Sequence, residues 1–215
     1  MIKLEKVSVM NFENAVRGAR NPMNSWEKSD SYYDDDGNYI LGENDYGLCM
    51  RLCKAGPDHR KFMRQIFVSV DITAPMYWWA EMDTYKVGTV RNSCSKMHKI
   101  HSKPIELSDF SIDDFYAYAN DDYNEIPLTD MFDNIVHDCE WLRQQYLETQ
   151  DKRYWKGLIQ FLPASYNQLS TLTLNYETLT NIYHARKNHK LDEWVEFCKW
   201  IEKLPYSELI TGSKE

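Results

Sequence analysis

Between Ala74 and His101 the chain reads APMYWWAEMDTYKVGTVRNSCSKMHKIH, its densest run of side chains able to do chemistry. Pro75 leads into three large aromatics, Tyr77, Trp78 and Trp79. Glu81, Asp83, Thr84, Tyr85, Lys86, Thr89, Arg91, Asn92, Ser93, Cys94, Ser95, Lys96 and His98 follow. Bulky rings that exclude water, beside hydroxyls, amides and cations that orient a solute, are the ingredients of a polar ligand pocket. The same residues also suit a buried helix start that runs into a solvated turn.

Several reaction types lack their signatures. There is no GxGxxG or Walker-type phosphate loop, no HExxH and no GxSxG elbow. Ser95 lies near His98 and His101, but nothing in the sequence sets an orienting carboxylate beside either, and no adjacent base activates Ser95 as a nucleophile. The five cysteines, Cys49, Cys53, Cys94, Cys139 and Cys198, are odd in number and scattered, which argues against a disulfide framework. They form no CxxC and no cluster with histidine at ligand spacing. They read as reduced packing residues, and no metal is expected.

The elements that must position this stretch follow from the rest of the chain. At 215 residues the sequence fits one domain with a core that needs no staples. A net charge of -8 and a pI near 5.3 oppose binding to nucleic acid or an anionic membrane. No apolar run is long enough to span a bilayer. Met1 leads into IKLEKVSVM rather than a signal peptide, so a cytoplasmic protein is expected.

Ile2 to Met10 alternates like a half-buried strand, and Asn11 stands where it could cap a short helix. The acidic 27–45 region, with Asp34, Asp35 and Asp36, reads as a surface excursion, either a plain solvated loop or a lid. Tyr46 to Cys53 is too brief to assign. Ile66 to Ile72 alternates cleanly as a strand, which Asp71 to Pro75 is expected to break. Lys103 to Pro127 is acidic, rich in Tyr and without clear period. Helical spacing appears in Leu128–Gln150, Leu169–Ala185 and Leu191–Leu204, with a short segment over Lys156–Phe161. The class is α/β (α+β): one domain with an antiparallel sheet carrying Ile2–Met10 and Ile66–Ile72, flanked by the helices Leu128–Gln150 and Leu169–Ala185.

NYETLTNIYHARKNHKLDEW, Asn175 to Trp194, resembles a segment of the flavin-dependent thymidylate synthases. That family spaces Asn, Leu, Asn and Arg as Asn175, Leu179, Asn181 and Arg186 stand here, with Asp192-Glu193-Trp194 in the place of a later amide–aromatic–acid stretch. The LPxS turn at Leu162 to Ser165 falls at the family's distance. Trp78-Trp79 and Asn92-Ser93-Cys94-Ser95 resemble the frame of its central signature, and Gly56 to Phe67 resembles its upstream turn. The departures are mostly cations, although the family's Glu beside the Asn also falls on Ser93. The Arg-His-Arg place holds Thr84-Tyr85-Lys86 or Tyr85-Lys86-Val87, the signature's last Arg falls on Met97, and the Arg before the LP turn falls on Ile159. A planar bidentate cation replaced by Met or Ile loses both charge and fork geometry. Lys86, Arg91, Lys96 or Lys156 could bring charge by another route.

The resemblance implies a flavoprotein of nucleotide biosynthesis that binds FAD and methylates dUMP, or makes a related one-carbon modification of a pyrimidine deoxynucleotide. Reduced nicotinamide and methylene-tetrahydrofolate would be co-substrates, and the assembly a homotetramer with shared sites. Arg186 would donate to the pyrimidine edge and Ser95 would join it as a catalytic residue. Asn175, Asn181, Tyr85 and Lys86 would serve the flavin, and Arg91, Asn92, Ser93, Ser95 and Arg186 the nucleotide. Asn175 and Asn181 equally suit the capping and solvation of a helix. The alternative is a diverged nucleotide- or flavin-binding protein of this fold without thymidylate synthase activity.

Overall fold

Strand β1 (Lys3–Met10) forms where apolar and charged residues alternate, and helix α1 (Phe12–Arg20) follows after a single residue. The computed structural model describes residues 2–113 and 128–212. Much of the acidic run expected to lack regular structure, 114–127, lies outside the described residues. After α1 come a two-stranded hairpin, β2 (Tyr32–Tyr33) and β3 (Tyr39–Ile40), and helix α2 (Glu43–Lys54). Then follow β4 (Phe67–Pro75), α3 (Met76–Met82), β5 (Thr89–Ser93) and the short α4 (Lys96–Lys99). The remaining elements are α5 (Leu128–Thr149), α6 (Lys152–Phe161), β6 (Asn167–Asn175), α7 (Tyr176–Arg186), α8 (Asp192–Ile201) and α9 (Glu208–Thr211). The fold is α+β, an antiparallel sheet flanked by helices, with strand order β1-β4-β6-β5.

Side-chain pairs fix the direction of β4 against β6. Ser69 and Thr173 share a hydroxyl bond of 2.7 Å, and Thr171 donates to Asp71 at 2.5 Å. The Tyr176 N–H reaches the Ile66 carbonyl at 3.0 Å. Each step forward along one strand is matched by an equal step back along the other, which is antiparallel pairing.

Two expectations are corrected here. The strand starting near Ile66 is not broken at Asp71. It runs on to Pro75, burying Val68, Val70, Ile72 and Ala74 on one face, and stops where proline has no N–H to give. Leu169–Ala185 is not one helix. Its first part is strand β6, because Gln168, Ser170, Leu172 and Leu174 are buried at a period of two; α7 begins only at Tyr176.

The chain divides into two compact units, one of Met1–Lys3, Ile72–Met82 and Asn92–Ser170, the other of Leu4–Asp71, Asp83–Arg91 and Thr171–Glu215. In the first, α5 and α6 pack together over a core that includes Phe110, Phe132, Cys139 and Leu158. Glu140 on α5 accepts from Arg143 at 2.7 and 2.6 Å and from the Ile105 N–H at 2.8 Å. The Arg143 bonds, reinforced by Ile105, hold its carboxyl down at about 2 against the effect of burial.

The second unit contains the acidic excursion, which is clamped rather than freely solvated. Asp45 on α2 is fully buried and accepts from Arg20 at 2.5 Å, from the Ser29 hydroxyl at 2.7 Å and from the Ser31 hydroxyl at 2.6 Å. Arg20 also donates to the Ser25 and Lys28 carbonyls. Burial alone would raise the Asp45 carboxyl, but these partners leave it lowered. Buried charges that are paired and bonded in this way fix the path of the segment they tie down.

Candidate functional site

The β6–α7 corner sets the geometry of the second unit's polar cavity. Asn175 ends β6 in an extended conformation and caps α7, its side chain accepting from the Thr178 N–H at 2.9 Å and the Thr178 hydroxyl at 3.2 Å. Thr178 in turn donates to the Val87 carbonyl at 3.1 Å, which lays the 84–88 loop against the helix start. Gly88 allows that approach. Its φ is +72°, and a Cβ there would sit 2.5 Å from the Asn175 amide nitrogen.

Around this corner lies a cavity of about 520 Å³ whose lining includes Arg64, Tyr85, Lys86, Asn175, Glu177 and Asn181. Glu177 is held by a two-point ion pair from Arg60, at 2.8 and 3.2 Å. The other polar lining groups are two cations, two amides, a phenol and the hydroxyls of Thr84 and Thr178. With the positive end of a helix, they are the groups that hold phosphate and carbonyl oxygens.

Arg186, near the end of α7, joins the cavity through Tyr85. Its Nε donates to the Tyr85 hydroxyl at 2.9 Å, and its guanidinium carbon lies 4.8 Å from the centre of the Trp194 ring. Its Nη1 lies 2.9 Å from Nε2 of His189. Four residues expected to serve a flavin, Asn175, Asn181, Tyr85 and Lys86, therefore line one cavity, and Arg186 is bonded to one of them. Asn175 at the same time does the capping that its residue type also allows. Arg91 spends Nη1 on both oxygens of Asp83, at 2.8 and 2.9 Å.

Asn92, Ser93 and Ser95 belong to the first unit. Asn92 and Ser93 are exposed at the end of β5, and the Ser95 hydroxyl accepts from the His98 N–H at 3.2 Å as the cap of α4. The Cys94 backbone is fixed on both sides, by the Leu169 carbonyl at 2.9 Å and the Gln168 side chain at 2.7 Å. A cavity of about 380 Å³ opens here, lined by Cys94, Ser95, Lys96, Lys99 and Lys103 among others.

For the tryptophan anchor the structure selects the buried helix start, one of the two readings the residues allow. Trp78 and Trp79 are 0% and 2% exposed inside the first unit, and Trp79 donates to the Gln168 carbonyl at 2.9 Å, so both are core rather than a ring wall at the surface. His101 packs edge-on to Tyr146 at 5.1 Å. All five cysteines are free, and burial raises Cys49 and Cys53 to about 12 and Cys139 and Cys198 to about 11. Among the described residues no group of three His, Cys, Asp or Glu is placed to hold a metal ion. No helix among them is long and apolar enough to cross a membrane.

Sequence reading missed Arg64, Glu177, Thr178, Gly88 and His189. The signal for Thr178 was present: a threonine three residues after Asn175 is the spacing of a capped helix start. Glu177 and Arg64 become visible only when Arg60 and the loop are placed in three dimensions.

The antiparallel sheet flanked by helices is the fold seen in solved flavin-dependent thymidylate synthases. The enzyme ThyX of Helicobacter pylori, solved with FAD and dUMP, superposes with a TM-score of 0.67 at 18% identity, covering 98% of this chain and 100% of that one. A second structure of that enzyme with the same ligands gives 0.65 at 18%, over 96% and 98%. The UMP/dUMP methylase PolB of Streptomyces cacaoi, bound with 5-Br dUMP, gives 0.62 at 15%, over 94% and 88%. No protein-family model matches the chain, and no curated protein matches it.

Proposed function

We propose that this chain is a flavin-dependent enzyme making a one-carbon modification, methylation above all, of a uracil deoxynucleotide such as dUMP. One observation carries the reading. Tyr85 and Lys86 lie about 90 residues from Asn175 and Asn181 in sequence, yet all four line one cavity and Arg186 is bonded to it through Tyr85. The fold likeness to two proteins solved with dUMP or its bromo analogue supports the choice of substrate.

The donor set fits a flavin nucleotide. Arg64 and Lys86 are cations suited to its phosphates, and Asn175, Asn181 and Tyr85 offer polar groups to its ring edge. FAD would supply hydride to the pyrimidine after a carbon unit arrives, with reduced nicotinamide and methylene-tetrahydrofolate as co-substrates. The chain's own part is orientation and charge. Arg186 donates to a pyrimidine carbonyl, and its stacking on Trp194 and Tyr85 restricts where it can point. The Asn92–Ser95 turn and Arg91 bind the nucleotide, with Ser95 as a catalytic residue. The chain works as one domain within a cytoplasmic homotetramer.

A second reading, binding of flavin or nucleotide without thymidylate synthesis, is favoured by Met97 and Ile159. Met97 is 53% exposed, and Ile159 packs against the first unit's core, so neither place offers a cation. Purified protein incubated with FAD, reduced nicotinamide, methylene-tetrahydrofolate and tritiated dUMP separates the two. The enzyme reading expects retained flavin absorbance and tritium release from the ring. Bound flavin without release supports the second reading, and a colourless protein that cannot be reconstituted sinks both as flavoproteins.

A further inference from the structure

The His189 ring meets a hydrogen-bond donor at each nitrogen. Arg186 Nη1 lies 2.9 Å from Nε2, and the Leu191 N–H points at Nδ1 at 3.2 Å. An arginine donates only, and so does a backbone N–H. A neutral imidazole has one lone pair to offer, and an imidazolium has none. Both contacts call for a lone pair on the ring, and the two donors compete for it. The charged donor is the stronger and the closer, so the lone pair belongs on Nε2, facing Arg186.

We propose that His189 is a positioning residue, holding the Arg186 guanidinium in the one orientation from which it serves a pyrimidine ligand. This rests on the reading of Arg186 given above. Among the groups around that guanidinium, the Tyr85 hydroxyl accepts from Nε, the Trp194 ring lies under its carbon at 4.8 Å, and His189 accepts from Nη1. The ring and the hydroxyl fix its plane and one edge. His189, at the turn after α7, fixes rotation within that plane. A free arginine side chain samples many rotamers, and a site that has already ordered it does not lose that freedom when ligand binds.

The test uses the whole protein with 15N-labelled arginine, in wild type, H189A and H189Q. Glutamine offers a carbonyl oxygen where Nε2 stands; alanine offers nothing. The readout without ligand is the Arg186 Nε–H signal, expected to be discrete and slow to exchange in wild type and H189Q but averaged in H189A. With dUMP, H189A should bind roughly 10-fold more weakly and H189Q within about 3-fold of wild type. His189 is half-exposed, so both variants are expected to fold, and retained flavin binding checks that they have. An Arg186 signal as sharp in H189A as in wild type, or an H189Q signal averaged like that of H189A, overturns the proposal. Absence of dUMP binding by wild type overturns the functional reading instead, while the Arg186 signal still decides the role of His189.

Discussion

Two corners of the second unit are built alike and end up different. At each, a strand gives way to a helix through an asparagine: β1 through Asn11 to α1, and β6 through Asn175 to α7. Asn175 is extended and accepts a helix N–H. Asn11 is left-handed, with φ of 75°, makes no cap bond, and donates to the Gln65 carbonyl at 2.8 Å. The surroundings differ in sign as well. The cavity at α1, about 840 Å³, is lined by Glu13, Asp34 and the rings of Phe12, Tyr33, Tyr39 and Tyr206, with no lysine or arginine. The cavity at α7 has Arg64 and Lys86. Residue type at a corner does not set its chemistry; the loop laid over it does.

The largest effect expected on this contrast comes from the α1 side, where the covering segment is held by a buried ion pair. Asp45→Ala leaves the Arg20 guanidinium buried without its carboxylate and should cost about 3–5 kcal/mol in denaturant unfolding. A loss under about 1 kcal/mol would mean that the hairpin is not tied down there. A smaller effect distinguishes the two asparagines. Asn175→Asp keeps an acceptor for the Thr178 N–H and should change stability by less than about 0.5 kcal/mol. Asn11→Asp loses the donor to Gln65 and should cost about 1–2 kcal/mol. Equal losses would erase the difference drawn between the corners.

The smallest effect is electrostatic. Asp34, in the hairpin turn, accepts first from the Asn38 N–H at 2.7 Å and then from the Asn38 side chain, which holds its carboxyl below the usual aspartate range. A lowered folded-state pKa gives stability that is present above the ordinary value of 3.8 and is lost as the pH falls through the lowered one. Acid titration followed by NMR should therefore release the Asn38 amide together with the Asp34 carboxyl, while the α7 corner stays unchanged. Simultaneous release at both corners would show global unfolding instead.

Much of this architecture was legible because its elements obey one period each. Lys3–Met10, Leu128–Thr149 and Asp192–Ile201 lie within a residue or a few of where alternation or helical spacing set them. Leu169–Ala185 was misread because leucines two apart in LSTLTLN run straight into leucine and isoleucine at helical spacing, and only burial shows where the period changes. The grouping of Tyr85, Lys86, Asn175, Asn181 and Arg186 was legible through the family resemblance alone; no local pattern links 85 to 186. The Arg20–Asp45 clamp and the acceptor role of His189 depend on pairs distant in sequence or on ring orientation, which composition does not carry. The place of Trp78 and Trp79 stayed open between core and ligand wall because a large ring suits both equally, and only its surroundings choose.

Asn175 is at once the last residue of a strand and the first support of a helix, with no connecting loop between them. One inserted residue would turn every following β6 side chain to the opposite face, or swing α7 by about 100° and carry Arg186 away from Tyr85. Such a corner records its history in substitutions and not in changes of length. Substitutions in the surrounding loops leave that geometry standing, whereas a change in the residue count from Leu172 to Arg186 does not.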